Sequence, residues 1–229
     1  MKLSTLNLQG FVNWSQHKPA VLDYFQTEQP DVIFFQEVVY LPEISAHNQV
    51  QELNQDLHYF FEHSNVTRLQ IGLEYPVFRE GLAVLSKYPI VKSDAIILKQ
   101  AEGDQHNRII QLVDLFMDGS IIKLANIHFS LMEVADFATP HLQETLEIVR
   151  ARGEKRIIAG DFNISDLEVT AHLWRDEYVA SSTTPYISFP SDNKTIDYIL
   201  IPKEYSFETI SATPVALTDH CAVTAVINL

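Results

Sequence analysis

Polar side chains that can bind a metal ion or transfer a proton follow apolar runs at several distant points of the sequence. Asn7 follows "LSTL", Glu37 follows "VIFFQ", His128 follows "LANI" and Asp161 follows "IIAG", whereas Asp197 lies just inside "TIDYIL". A strand buried on both faces accommodates such groups at its end more readily than in its middle, where they would need buried partners. We therefore predict that several strand ends meet at one rim.

The stretch "IIAGDFNIS", residues 157–165, carries two such groups in one segment. Gly160 permits a close approach of a neighbouring backbone, and Asp161 and Asn163 point to the same side if strand geometry persists. An ordinary Asx turn at the end of a strand is the structural alternative. The functional interpretation is that this carboxylate and this amide act on one ligand.

Five acids and amides and two histidines share a position beside apolar runs; they are Asn7, Glu37, Asp161, Asn163, Asp219, His128 and His220. Carboxylate and amide oxygens suit Mg²⁺ or Mn²⁺, whereas zinc prefers Cys and His at short spacings that this sequence does not contain. Mg²⁺ usually takes one or two protein carboxylates together with water and substrate phosphate oxygens. The set predicts a magnesium-type site with further groups left for proton transfer.

The segment "LTDHCAV" places Asp219 and His220 side by side just before the final apolar run. Side chains of adjacent residues diverge, so one can face a metal while the other faces the substrate. A histidine in this role needs a carboxylate that fixes its tautomer and favours its charged form. We predict that Asp197 is this carboxylate.

The apolar runs and the helical periodicity between them predict the elements that position these residues. Runs rich in Val, Ile, Leu and Phe predict strands, namely "KLSTLNL", "DVIFFQEVV", "GLAVLSKYP", "RIIQLVDLFM", "IIKLANIHFS", "KRIIAGDFN", "KTIDYILIP" and "CAVTAVINL". Helices are predicted over residues 18–29, 43–55, 139–153 and 165–174, the last with Ser165 and Glu168 as a capping box. The mixture predicts an α/β or α+β fold with mixed sheets in one domain over residues 1–229.

The composition indicates a globular protein with an excess of acidic residues. Hydrophobic residues make up 46% of the chain, and 16 Lys and Arg face 30 Asp and Glu, for a formal net charge of −14. The basic group Arg150, Arg152, Lys155 and Arg156 ends a predicted helix, where cations complement the helix dipole. The charge therefore argues against long duplex nucleic acid as a partner.

Several other features of the sequence concern the location of the protein in the cell. The N-terminus lacks a signal-peptide pattern, no run of about 18 apolar residues occurs, and the one cysteine, Cys221, lies in an apolar run. We expect a cytoplasmic protein with neither a membrane nor a protein partner.

"HYFFEH", residues 58–63, is expected to be a strand with core aromatics. Surface or loop positions are expected for His17, His47, His58, His63, His106, His141 and His172.

Seven motifs, in this order along nearly the whole chain, carry a family resemblance; they are "TLNLQ", "FFQEV", "EGLAVLSKYPI", "NIHFS", "IIAGDFN", "TIDYIL" and "LTDHCAV". The chain resembles the endonuclease/exonuclease/phosphatase superfamily, which includes pancreatic deoxyribonuclease and abasic-site endonucleases. The resemblance implies a four-layer α/β/β/α sandwich, in which two mixed β-sheets pack together, helices cover both outer faces, and the site lies at one end.

The resemblance also implies roles for matching residues around a divalent metal ion. Glu37 is expected to bind the metal, with Asn7 beside it and Asp219 as a further ligand or outer partner. Asp161 is expected to orient or deprotonate the attacking water, and Asn163 to donate a hydrogen bond to a phosphoryl oxygen.

The resemblance places the remaining site residues around the substrate phosphate. His220 is expected to contact the phosphate while Asp197 holds it, and His128 to stabilise the phosphate from the other side, paired with Glu80. Arg108 lies in a region where some relatives use an arginine on phosphate. Phe189 and Lys194 resemble residues that line the substrate mouth in small bacterial members, with Lys194 as a second candidate for phosphate binding.

Three functions follow as alternatives from these observations. The leading hypothesis is a Mg²⁺- or Mn²⁺-dependent phosphodiesterase or phosphatase that acts on a small or accessible phosphoester through an activated water. The second is an endo- or exonuclease, although Gln9 replaces the acid of some DNA-repair relatives and no basic track for DNA is evident. The third is a non-catalytic binding module on the same fold.

Overall fold

Strands outnumber helices in a computed structural model that describes residues 1–70, 78–100, 107–131 and 138–229. His106 lies outside the described residues. The strands are β1 (Lys2–Asn7), β2 (Val32–Tyr40), β3 (Phe61–Gln70), β4 (Phe78–Ser86), β5 (Ile90–Ile97), β6 (Ile109–Met117), β7 (Ser120–His128), β8 (Ile157–Asp161), β9 (Tyr178–Ala180), β10 (Asp197–Pro202), β11 (Ser206–Ala212) and β12 (Val223–Asn228). The helices are α1 (Trp14–Glu28), α2 (Gln49–Leu57), α3 (Ala138–Ala151) and α4 (Ala171–Trp174).

The strands form two six-stranded sheets, both mixed. The first sheet has the order β11-β12-β1-β2-β4-β3, and the second has the order β5-β6-β7-β8-β10-β9. Each sheet contains one central parallel pair, β1 with β2 and β7 with β8, among antiparallel neighbours. Both parallel pairs therefore bring two carboxyl ends to the same edge of their sheet.

Three apolar layers hold the sheets and helices together. Leu3 and Phe34 of the first sheet pack against Val113 and Leu124 of the second, so the inner faces meet in one core. The outer face of the first sheet packs on α1 and α2, and that of the second on α3 and α4. This arrangement confirms the expected four-layer α/β/β/α sandwich. It also explains why β2 and β8 read as nearly continuous apolar runs, since both of their faces are buried.

The capping residues of two helical segments differ from what the sequence predicted. A capping box begins α2, where the Asn48 side chain accepts from Gln51 N–H and the Gln51 side chain accepts from Asn48 N–H. The predicted capping box at Ser165 is wrong, because the side chain of Asp166 caps this turn by accepting from Glu168 N–H. Within the described residues, no helix is both long and apolar enough to cross a membrane.

One member of the basic group between residues 150 and 156 has a different environment from the one predicted. Arg150 lies in the last turn of α3, as expected. Arg156 instead is 1% exposed, with its guanidinium 2.8 Å from Asp114 and 2.7 Å from Glu154. A buried arginine needs such partners to offset its desolvation, so this residue anchors the start of β8.

A row of buried polar side chains connects the two sheets near one end; we call Thr5, Gln36, Gln111 and Asn126 the amide row. Gln36 Nε2 donates to Asn126 Oδ1 over 2.7 Å, and Asn126 Nδ2 donates to Gln111 Oε1 over 3.0 Å. Thr5 and Gln36 exchange hydrogen bonds within the first sheet. Because three of these residues precede a predicted site residue by one or two positions, the row lies directly beneath the rim.

Candidate active site

The predicted site residues meet at the edge where the two parallel pairs end. Asn7, His128 and Asp161 are the last residues of β1, β7 and β8, and Asp197 is the first residue of β10. The register places Asp161 opposite His128 on one side and opposite Asp197 on the other. Strand pairing alone therefore assembles three of these side chains from segments far apart in the sequence.

Glu37 reaches the rim because β2 bulges at this point. The pairing of β2 with β4 shifts register between Phe35 and Val38, and Glu37 has a φ of 51°. A bulge re-aims a side chain and is frequent next to active sites. Gln49, 2% exposed, holds the bulge, since its Oε1 accepts from Val39 N–H and its Nε2 donates to the carbonyl of Gly10.

Asn7 connects the carboxylates of the two sheets. Its Nδ2 donates to Asp161 Oδ2 over 3.0 Å and to Glu37 Oε1 over 3.2 Å. Its Oδ1 accepts from the backbone N–H of Gln9 over 2.9 Å, which fixes the orientation of the amide. Asn7 therefore acts here as the donor that holds Glu37 and Asp161 side by side.

Gly160 and Asp161 end β8 in a geometry that depends on close backbone contact. A Cβ on Gly160 would lie 2.0 Å from the carbonyl oxygen of Ile127, and the φ of Gly160 is 144°. The close approach expected at this glycine is confirmed. Burial and the neighbouring Asp197 carboxylate raise the pKa of Asp161, while His220 and the Asn7 amide oppose the rise. A carboxylate of this kind takes up a proton more readily than an ordinary aspartate.

A turn after β8, and not a continuation of the strand, places Asn163 beside Asp161. Strand β8 ends at Asp161, and Asn163 has a φ of 52°. Its backbone N–H donates to Asp161 Oδ1 over 2.9 Å, and its Nδ2 donates to the carbonyl of Phe129 over 3.0 Å. An amide nitrogen has two protons, so the contact with Phe129 leaves one for a ligand in the adjoining cleft.

His220 and Asp197 form a buried hydrogen-bonded pair. His220 Nδ1 lies 2.8 Å from Asp197 Oδ2, and His220 Nε2 lies 4.0 Å from Asp161 Oδ2. Burial alone would lower the pKa of His220, but the carboxylates of Asp197, Asp161 and Asp219 outweigh it and raise the pKa to about 10. The neighbouring carboxylates therefore favour the charged form of His220.

His128 faces the carboxylates from the other side and contacts Arg108. Its Nε2 lies 3.5 Å from Asp161 Oδ2, 3.8 Å from Glu37 Oε1 and 3.0 Å from Arg108 Nη1. A guanidinium can only donate, so Nε2 accepts in the contact with Arg108. His128, Arg108 and Glu80 line one small cavity of about 20 Å³.

A cleft of about 370 Å³ opens over the rim. Its walls include Leu131, Phe189 and Ile196 and the polar residues Glu37, His128, Asp161, Asn163, Ser165, Asp192, Lys194, Asp219 and His220. Lys194 Nζ lies 2.8 Å from Asp192 Oδ2 at the exposed mouth, where both side chains are about half exposed. Among the described residues, Arg108 does not line the cleft, but its Nη1 contacts His128, which does. The volume suits a small organic ligand.

The acidic groups at the rim include atoms suited to a cation. Ligand atoms of Asp161, Asp197 and His220 all lie within 4.8 Å of one another. Asp219 Oδ1 is buried and has no hydrogen-bond partner among the described residues. A buried carboxylate oxygen in this state is expected to receive a cation or an ordered water.

Sequence reasoning did not identify Gln49 or the amide row. Gln36 lies inside an apolar run and Gln49 at the start of a helix, so neither stands out by type or spacing. The one available signal is a polar residue in the middle of a strand that is otherwise apolar on both faces, which requires a buried partner. Gln36, Gln111 and Asn126 all fit this description.

Comparisons with known proteins agree with this geometry. The sequence matches the model of the Endonuclease/Exonuclease/phosphatase family over residues 4–220. A search of curated proteins finds no match.

Several solved structures share the fold of this chain. An endonuclease/exonuclease/phosphatase family protein from Leptotrichia buccalis has a TM-score of 0.81 at 20% identity, with 100% of both chains covered. TDP2 from D. rerio, complexed with single strand DNA product, has a TM-score of 0.73 at 17% identity and covers 100% of this chain and 99% of that one. A mannosyl-6-phosphatase from Bacteroides thetaiotaomicron has a TM-score of 0.72 at 13% identity, with 100% of both chains covered. Because the family match extends over residues 4–220, the chain belongs to the Endonuclease/Exonuclease/phosphatase family.

Proposed function

We propose that this protein is a divalent-metal-dependent hydrolase of small phosphoesters. One observation carries the proposal: a single amide, Asn7, holds the carboxylates of Glu37 and Asp161 together, and Asp161 lies 4.0 Å from the imidazole of His220. Acids, amide donors and an imidazolium around one cleft are what phosphoester hydrolysis needs, because the reaction requires a positioned water and neutralisation of phosphoryl charge.

The residues at the rim fit a hard divalent cation such as Mg²⁺ or Mn²⁺. Glu37 faces the cleft, and Asp219 presents a buried oxygen without a hydrogen-bond partner among the described residues. We assign these two carboxylates to the metal. Asp197 Oδ1 is also buried without such a partner, but we assign Asp197 to the orientation of His220, because its Oδ2 lies 2.8 Å from His220 Nδ1. Asn7 then lies beside the metal and orients its ligand. When bound, such a cation neutralises the charge of the phosphoryl group.

Asp161 is assigned to the attacking water. Its pKa is raised by burial and by Asp197, which makes the carboxylate a better proton acceptor near neutral pH than an ordinary aspartate. Its Oδ1 already accepts from Asn163 N–H and its Oδ2 from Asn7, so the group is fixed in orientation. Asp161 therefore orients the water and takes its proton.

The phosphoryl oxygens are assigned to donors on the other walls of the cleft. His220 offers Nε2–H while Asp197 holds Nδ1, and Asn163 offers the second proton of its amide. His128 lies opposite, next to the guanidinium of Arg108. We propose that the Arg108 guanidinium supplies positive charge to the phosphate from behind His128, and that Lys194 assists at the mouth only when a substrate displaces Asp192.

The cleft favours a small substrate over a long polyanion. Four carboxylates line it, those of Glu37, Asp161, Asp192 and Asp219. The cations that face them are Lys194, which is itself paired, and the charged form of His220. Long nucleic acid is held by clustered cations that neutralise several phosphates. A nuclease acting on strand ends is the second candidate, favoured by the ring of Phe189 in the cleft wall, because bases stack on aromatic side chains.

The test is a hydrolysis panel with an aryl phosphodiester, an aryl phosphomonoester and single-stranded DNA, each with Mg²⁺, with Mn²⁺ and with chelator. We expect metal-dependent turnover of an aryl phosphoester and a decrease of about 10² to 10⁴-fold in kcat for Asp161→Asn. Glu204→Gln, which removes an exposed carboxylate paired with Lys155, is the matched control and should leave kcat unchanged. Activity on DNA alone would favour the nuclease. Absence of turnover with every metal would leave the binding module as the surviving alternative.

A further inference from the structure

A short hairpin between β9 and β10 lies against the His220 and Asp197 pair. The backbones of Phe189 and Lys194 exchange two hydrogen bonds, Phe189 N–H to Lys194 O over 2.9 Å and Lys194 N–H to Phe189 O over 3.1 Å. Asn193 closes the turn with a φ of 53°. Phe189, Asp192 and Lys194 of this hairpin line one side of the cleft.

Ser188, at the base of the hairpin, is fully buried and contacts the chain segments of both members of the pair. Its Oγ accepts from the backbone N–H of Ile196 and from that of Asp197, each over 3.0 Å. Its carbonyl accepts from the backbone N–H of Cys221, the residue after His220, over 2.8 Å. One residue thus fixes Asp197 directly and His220 through its neighbour.

This link matters because His220 and Asp197 come from different sheets. Asp197 begins β10 in the second sheet, and His220 precedes β12 in the first. Strand pairing does not set the distance between them, since β10 and β12 are not neighbours in either sheet. The next hairpin residue also contacts the pair, because the Phe189 ring lies 5.0 Å from the His220 ring between centroids, at an angle of 57°.

We infer that Ser188 is a positioning residue for His220, and that its hydroxyl acts through the hydrogen bonds that it accepts from the backbone N–H groups of Ile196 and Asp197. The expected change in kcat rests on the proposed phosphoester hydrolysis, whereas the expected displacement of Asp197 and His220 rests on the geometry alone. Loss of the Ser188 hydroxyl frees the N–H groups of Ile196 and Asp197, so the Asp197 carboxylate shifts and the imidazole loses its alignment toward the phosphate.

The experiment compares Ser188→Ala with Ser188→Thr, which retains a hydroxyl acceptor. For Ser188→Ala we expect faster amide hydrogen exchange at Ile196 and Asp197 and a kcat lowered by about 10 to 100-fold, with a much smaller change in KM. Ser188→Thr should restore slow exchange and most of kcat. If Ser188→Ala does not fold, Ser188→Cys replaces it, because a thiol of similar size is only a weak acceptor.

Ser86→Ala is the matched control for the loss of a buried serine. Ser86 is also fully buried, and its Oγ accepts from Tyr88 N–H over 3.0 Å. This variant should lose thermal stability without loss of kcat. A folded Ser188→Ala protein with the kcat of the parent would overturn the inference.

A separate readout distinguishes failure of this inference from failure of the proposed function. If the parent protein hydrolyses no phosphoester, the proposed function fails, but the ring resonances of His220 still report its hydrogen bond to Asp197. A changed Nδ1 environment in Ser188→Ala, absent in Ser86→Ala, supports positioning. An unchanged His220 spectrum in Ser188→Ala refutes it.

Discussion

Replacing Gly160 with alanine tests whether the close packing of β7 and β8 sets the geometry of the site. A Cβ at this position would lie 2.0 Å from the carbonyl oxygen of Ile127, and real Cβ contacts are essentially never shorter than 3.0 Å. The two strands must therefore move apart by about 1 Å. They end in His128 and Asp161, which face each other in the register, so the displacement acts directly on two proposed active-site residues.

The magnitude has two contributions, one from the backbone conformation and one from the close approach. A φ of 144° is rarely adopted by a residue with a side chain, and such strain costs about 1 to 3 kcal/mol. Forcing an extra methyl group into a packed site costs about another 1 to 3 kcal/mol. Gly160→Ala should therefore lower the free energy of unfolding by about 2 to 6 kcal/mol, a large part of the roughly 5 to 15 kcal/mol of a typical domain.

Gly119→Ala separates these two contributions. Gly119 has a φ of 84° in the turn between β6 and β7, and a Cβ there would meet nothing within 4 Å. Only the backbone term applies, about 1 to 2 kcal/mol, with no effect on the site. The assay is urea unfolding together with phosphoester turnover, in which a misplacement of about 1 Å costs on the order of 10²-fold. Equal losses of stability in the two variants, with full activity in Gly160→Ala, would refute the reasoning.

Two further predictions concern the amide row and the His220 pair. Asn126→Leu keeps the side-chain volume but removes the hydrogen-bond partner of the Gln36 and Gln111 side chains and of the carbonyls of Phe35 and Ala83. Urea unfolding should therefore show a free energy of unfolding lower by about 2 to 5 kcal/mol. An unchanged midpoint would contradict this. Asp197→Asn removes the carboxylate that raises the pKa of His220, so His220 should lose its proton at a lower pH. The decline of the rate at alkaline pH should then move to lower pH. A pH-rate profile with Glu204→Gln as control measures this shift. If the rates of both variants declined over the same alkaline pH range, the protonation of His220 would not govern the rate.

The rim residues were predictable because each of them interrupts an apolar run. Asn7, His128 and Asp161 end strands whose both faces are buried, and a polar residue at such a boundary stands out in the sequence. The order of the motifs then identified the family, and with it the four layers. Glu37 was predicted as a site residue, but the bulge that turns it toward the cleft was not, because a positive φ at a glutamate has no local signature.

Other features depend on contacts that no sequence pattern reveals. Phe60 lies in the predicted strand "HYFFEH" yet is 86% exposed, because β3 begins only at Phe61. His141 was expected at the surface but is buried, with its ring nitrogens near Ser130 N–H and the carbonyl of Lys99. Ser188 is an unremarkable serine in a loop until the fold brings it against Asp197. For His141 and Ser188 the environment comes from segments distant in the sequence.

The contacts at the rim explain why polar side chains occur between two sheets that otherwise pack through apolar residues. Asn7 belongs to the first sheet and donates to Asp161 of the second, and Gln36 and Asn126 repeat this link below the rim. Apolar burial stabilises the pair of sheets but is non-directional, so it does not set their relative position to within a hydrogen-bond length. Hydrogen bonds are directional and short. The proposed metal ligand Glu37 and the proposed base Asp161 lie on opposite sheets, and their separation is therefore fixed by these cross-sheet bonds.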